Sequence, residues 1–152
     1  MRGLSFFIND ELYAADVTRV AKIVRHLSVT PVPAAREAVL GIANLKGKVV
    51  TVLDPRALLA APGEAVQRNN PVGSVKAVVF KPFSENGDPI GLRIDRQGGL
   101  ISVDDENILP PPVADGAGIV AGVAELEGRL YRILDVNHII NRKEGTDRDE
   151  RF

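Results

Sequence analysis

One stretch of this chain occurs twice. Residues 41 to 59, GIANLKGKVVTVLDPRALL, align without gaps on residues 122 to 140, GVAELEGRLYRILDVNHII. Six of the nineteen positions are identical: Gly41 with Gly122, Ala43 with Ala124, Leu45 with Leu126, Gly47 with Gly128, Leu53 with Leu134, and Asp54 with Asp135. Unrelated segments of that length would share about one identity, and most remaining pairs exchange one apolar residue for another, as a repeated structural unit does. Upstream, Ala15 and Asp16 precede a segment ending in Pro31 and Pro33, as Ile94 and Asp95 precede one ending in Pro110, Pro111 and Pro112. The chain reads as two homologous halves, which restricts it to folds that build one small unit twice.

Within each unit an apolar stretch meets a glycine turn, Lys46-Gly47 or Glu127-Gly128, and a stretch rich in β-branched residues leaves it. That is the pattern of a β-hairpin, with glycine supplying the positive φ of the turn at little cost. The second strand runs into Leu53-Asp54-Pro55, where aspartate caps a helix and proline takes its first position, so a short helix is expected through Ala57 and Leu59. Asp135 starts the matching helix toward Ile139. Further strands are expected at residues 4 to 8, 12 to 15, 75 to 80 and 90 to 94, the last two joined by a loop containing Asn86-Gly87. Residues 17 to 27 fit both a helical stripe and a strand, and a helical turn followed by a strand satisfies both. Residues 61 to 74 form a turn-rich connector, and residues 141 to 152 a solvated tail.

Composition narrows the function. A chain of 152 residues that is 45% hydrophobic and 26% charged buries one sizeable core, or two small ones sharing a seam. It contains no cysteine, which removes disulfides, thiolate metal sites and cysteine nucleophiles and suits a reducing compartment, so a cytoplasmic location is expected. Nineteen basic against twenty acidic residues provide none of the uniform positive field that nucleic-acid binding uses. Five Phe and two Tyr make a poor stacking platform for single strands.

The chemical motifs have simpler structural readings. Asp54 and Asp135 stand where a strand hands over to a helix, a capping position, and not as an acid and base pair. The glycines of GAGIVAG at 116 to 122 follow a proline-rich loop and precede a β-branched run, the reverse of a dinucleotide fingerprint. His26 and His138 have no carboxylates at ligand spacing, so no metal is expected. Arg19, Lys22, Arg25 and His26 read as a solvated basic face, and Asp104, Asp105 and Glu106 as a turn with a helix start. No catalytic residue and no cofactor emerge. Two functional classes remain: a protein-holding adaptor, and a small β-barrel binding module for another ligand or nucleic acid.

Five pieces in order resemble the CheW coupling proteins of bacterial chemosensory pathways: residues 5 to 24, TPVP at 30 to 33, VLGIANLKGKVVTVLD at 39 to 54, PIGLRID at 89 to 95, and VAGVAELEGRLYRILD at 120 to 135. The resemblance implies an all-β fold, a single domain over 1 to 152 made of two intertwined subdomains. These are small SH3-like five-stranded barrels related by a pseudo-twofold axis, with short helices. It implies a non-catalytic scaffold that couples the helical tip of a chemoreceptor to the regulatory domain of a CheA-type histidine kinase, with no nucleic acid and no membrane insertion. Val20, Ile23 and Lys46 are the receptor-groove candidates it suggests, and Ile42, Val49 and Thr51 the kinase-interface candidates. Asn44, Gly47, Asp54, Gly128 and Asp135 are assigned to turns and caps. The chain departs from the family pattern at Lys22, Lys46, Thr51, Pro55 and Gln97, where an acidic residue, arginine, proline, leucine and an apolar residue are usual.

Overall fold

The computed structural model describes residues 1–32, 38–59, 73–82, 84–111 and 118–141. Most of the connector at 61 to 74 and the tail beyond 141 lie outside the described residues, although Ser74 already opens a strand. In chain order the strands are β1 (Arg2–Ile8), β2 (Glu11–Asp16), β3 (Val20–Ser28), β4 (Val39–Leu45), β5 (Lys48–Leu53), β6 (Ser74–Phe80), β7 (Ile90–Ile94), β8 (Arg96–Ser102), β9 (Val120–Leu126) and β10 (Arg129–Leu134). Short helices follow β5 (Pro55–Leu59) and β10 (136–141). The ambiguous stretch after β2 is a 3-10 turn, Val17–Arg19, that leads into β3.

Three hairpins are set by local chemistry. Both central residues of each turn have positive φ: Asn9 at 51° and Asp10 at 64°, Lys46 at 51° and Gly47 at 83°, Glu127 at 51° and Gly128 at 79°. Two-residue turns of that hand match the twist of the strands they join. The Gly47 amide also donates to Asn44 Oδ1 at 2.9 Å, tightening the β4–β5 turn.

Two five-stranded sheets result, in the orders β3-β6-β7-β5-β4 (barrel I) and β8-β1-β2-β10-β9 (barrel II). Each is built the same way. An antiparallel hairpin (β6–β7 or β1–β2) lies parallel to the inner strand of a second hairpin, β5 beside β7 and β10 beside β2. The continuation of each outer strand then returns to the far edge. Thr30 exchanges two backbone hydrogen bonds with Ile42, at 2.8 and 2.9 Å, and Leu109 does the same with Val123 at the same distances. These bridges close each sheet on itself, which removes exposed edges. The two barrels do not correspond to the two halves of the chain. Barrel I takes β3, β4 and β5 from the first half and β6 and β7 from the second, and barrel II takes the remainder.

Parallel pairing also corrects the upstream alignment of the repeat. Tyr13 lies opposite Arg132 as Ile90 lies opposite Thr51. Tyr13 and Ile90 are therefore equivalent, at an offset of 77, and the match of Ala15-Asp16 to Ile94-Asp95, at an offset of 79, is out of step. Strand β8 takes in barrel II the edge place that β3 takes in barrel I, but holds a single β-branched residue, Ile101. It pairs with β1 through a bulge at Ser5, whose buried Oγ accepts from Gly99 N at 2.8 Å and donates to Gly99 O at 2.9 Å.

The largest core lies between the barrels. Phe6, Ile8 and Tyr13 from barrel II pack with Val78, Phe80 and Leu92 from barrel I, and Ile119 and Ile139 are among the residues that join them. Phe6 and Tyr13 stack with centroids 6.5 Å apart. Burying each such side chain contributes about 1.5–3 kcal/mol relative to exposure, so this seam fixes the two barrels against one another. Each barrel has a smaller interior of its own, around Leu27, Val50 and Val52 in barrel I and around Ala14, Tyr131 and Ile133 in barrel II.

Candidate docking surfaces

The alternation of β4 and β5 sorts their side chains onto two faces. Ala43, Val50 and Val52 point into barrel I and are buried. Ile42 pairs with Thr51 and Asn44 with Val49, and these four share the outer face. Close to the seam that face is covered, for Leu53 and Val39 belong to the shared core. Towards the hairpin tip it emerges into solvent, leaving Ile42 39% and Val49 50% exposed, with Thr51 half-buried between them. An exposed β-branched pair on the outer sheet face offers apolar area whose removal from water favours docking by about 25 cal/mol per Å². Ile42, Val49 and Thr51 are thus brought together on one surface.

Val20 and Ile23 occupy β3, opposite Phe80 and Val78 of β6. Both are half-buried and pack against the shared core at the seam between the barrels. They are neither fully buried nor free. Lys46 sits on a different element, exposed at the β4–β5 turn. Lys22, Arg25 and His26 continue along β3, with Arg25 and His26 exposed.

Asp54 is 1% exposed, and its Oδ1 accepts from the Arg56 amide at 3.0 Å while lying 3.6 Å from Arg56 Nε. Asp135 Oδ1 accepts from the His138 amide at 3.0 Å. Both carboxylates are held by the first turn of a helix. Their amides tie back to the residue just ahead of the paired strand, Asp54 N to Ala38 O before β4 at 2.8 Å and Asp135 N to Ile119 O before β9 at 2.7 Å. Among the described residues no group of three or more His, Cys, Asp or Glu could hold a metal ion. No helix among them is long and apolar enough to cross a membrane.

Sequence reasoning passed over a second face. The repeat places Val123, Glu125, Leu130 and Arg132 of β9 and β10 where Ile42, Asn44, Val49 and Thr51 stand, with Val123 paired to Arg132 and Glu125 to Leu130. Leu130 is 48% exposed, and Leu109, bridged to Val123, is 61% exposed. Arg132 reaches back to Glu11 Oε2 at 3.5 Å and lies over the Tyr13 ring. The signal was available, because Val49 and Leu130 are aligned apolar positions of the two hairpins.

Two closed SH3-like barrels fused along an apolar seam, each presenting a partly apolar strand face beyond it, define a small β-barrel interaction module. The CheW-like domain family profile matches residues 2–144, and the chain belongs to that family. It is 28% identical to a protein of Thermotoga maritima named chemotaxis protein CheW, over 93% of this chain and 91% of that protein. A Helicobacter pylori protein of the same name is 27% identical over 93% of this chain and 82% of its own length. The crystal structure of scaffolding protein TtCheW from Thermoanaerobacter tengcongensis superposes with a TM-score of 0.72, covering 89% of this chain and 84% of that one at 24% identity, and supports the fold.

Proposed function

We propose that this chain is a non-catalytic scaffold of a chemotaxis-type signalling pathway, acting in the cytoplasm and joining a chemoreceptor to a CheA-type histidine kinase. The exposed face of the β4–β5 hairpin carries the reading: Ile42 and Val49 stand out to solvent on a rigid sheet, with no work to do in the chain's own core. Apolar anchors on a fixed surface, ringed by polar groups such as Asn44 and Lys46, are what a partner needs to bury. That face docks on the kinase regulatory domain. The edge of the seam formed by Val20 and Ile23 receives the helical tip of the receptor. An apolar helix stripe would complete the burial of two side chains that the shared core leaves half covered. The names of the relatives, chemotaxis protein CheW and scaffolding protein TtCheW, support the pathway.

Purified protein mixed with the kinase regulatory domain and with a receptor tip fragment from the same genome tests the reading by calorimetry. Binding to both is expected, with Val49→Glu abolishing the kinase contact alone. Binding to neither would remove the proposal.

A further inference from the structure

Charge is divided unequally between the barrels. In a chain whose net charge is −1, the five strands of barrel I hold Lys22, Arg25, His26, Lys48, Lys76 and Arg93 and not one carboxylate. Those of barrel II mix arginines with Glu11, Asp16 and Glu125. Strand pairing gathers part of the barrel I charge beside the Val20 and Ile23 edge. Ala77 pairs with Val24 and Val75 with Leu27, so Lys76, between them, has two residues set against it, Arg25 and His26. A bulge of this kind re-aims the side chains it carries. Val75 and Ala77 pack inside barrel I, which by alternation sets Lys76 on the side of Val78 and its partner Ile23. Arg25 and His26 are exposed and Lys76 is half-buried. Among the described residues none of these three makes an ion pair.

We propose that this basic cluster selects what seats on the Val20 and Ile23 edge: an amphipathic helix that carries acidic side chains beyond its apolar stripe. The proposal rests on the receptor reading above and adds the chemistry by which one receptor tip is told from another. From Ile23 to Arg25 and His26 is about 7–10 Å along a strand, which a helix lying along β3 covers in one to two turns of about 5.4 Å. Aspartate or glutamate at that spacing meets the cations beside an apolar contact, where water is partly excluded and the attraction exceeds that of a fully exposed pair. A basic tip would crowd like charge onto Arg25 and Lys76, and a neutral one would strip them of water without a partner, so both are rejected. Phosphate groups of a lipid surface would answer the cations but leave the adjoining Val20 and Ile23, half-buried in the sheet, without cover.

Calorimetric titration of the full chain with the receptor tip fragment from the same genome, at low and at high salt, tests it. Affinity is expected to fall as salt rises. Arg25→Glu and Lys76→Glu should each weaken binding by roughly tenfold, and the double variant should lose most of the salt dependence. Arg25→Lys keeps the charge and should bind nearly as the parent does. Arg129→Glu makes the same charge change on an exposed residue of barrel II and should stay within about twofold. Replacing the acidic residues of the fragment by lysine should restore binding to Arg25→Glu. Circular dichroism checks that the variants fold, and Lys76→Gln removes that half-buried charge without reversing it. Binding by a fragment whose affinity neither salt nor these variants alter would overturn charge selection and leave the receptor reading standing, whereas a parent chain that binds no fragment would remove both. Vesicles of phosphatidylcholine and phosphatidylserine are expected not to retain the chain, and retention abolished by Arg25→Glu and Lys76→Glu would assign the cluster to lipid and overturn the proposal.

Discussion

Gly41 and Thr30 touch backbone to backbone: a Cβ at residue 41 would overlap the Thr30 carbonyl, the same group that closes barrel I by accepting from the Ile42 amide. Its repeat partner Gly122 stands in the same relation to Leu109, whose carbonyl oxygen would lie 2.7 Å from an added Cβ. Gly41→Ala and Gly122→Ala should each cost more than about 2 kcal/mol in urea unfolding, since backbone must move to admit the methyl. Gly47→Ala, where nothing lies within 4 Å and only the positive φ is penalised, should cost about 1 kcal/mol.

Removing the hydroxyl of Ser5 should destabilise the protein by about 1–3 kcal/mol, because one buried oxygen serves both the N–H and the C=O of Gly99 across the β1–β8 bulge. Chemical denaturation of Ser5→Ala checks this. Faster hydrogen exchange confined to β8 would mark the place of the loss.

Glutamate scanning should separate the two groups of candidate anchors. Val20→Glu or Ile23→Glu sets a charge against the shared core and should lower the thermal midpoint by roughly 3–10 °C, corresponding to about 1–3 kcal/mol. Val49→Glu, on a half-exposed side chain facing solvent, should leave the midpoint within about 2 °C. Equal losses at all three positions would contradict the burial described above.

The helix start at Asp54 predicts a graded series. Asp54→Asn retains an acceptor for the Arg56 amide and should cost little, whereas Asp54→Ala should cost about 1–2 kcal/mol in thermal or urea unfolding.

The hairpins were legible because their information is local. The turn pairs Lys46-Gly47 and Glu127-Gly128, the alternation on either side, and an aspartate before each helix are all set within a few residues. Strand β8 was not legible, since Gln97-Gly98-Gly99 has little strand preference and its pairing is with β1, where Ser5, ninety-four residues away, reaches Gly99. The assortment of strands into barrels could not be read either. Two copies of one unit leave no local mark of which β1–β2-type hairpin lies beside which second hairpin, and the seam between the barrels joins residues from all of them. Val20 and Ile23 fit equally well as core or as surface because they are half of each, packed below and open above. The second hairpin face was hidden behind the first, although every position that composes it was aligned.

The assignment of β1 and β2 to barrel II and of β3, β4 and β5 to barrel I gives the molecule the connectivity of a domain-swapped dimer written into a single polypeptide. A cut between β5 and β6 would release two fragments, neither holding a complete sheet, and each would need the other to become structured. The unit of folding is the whole chain.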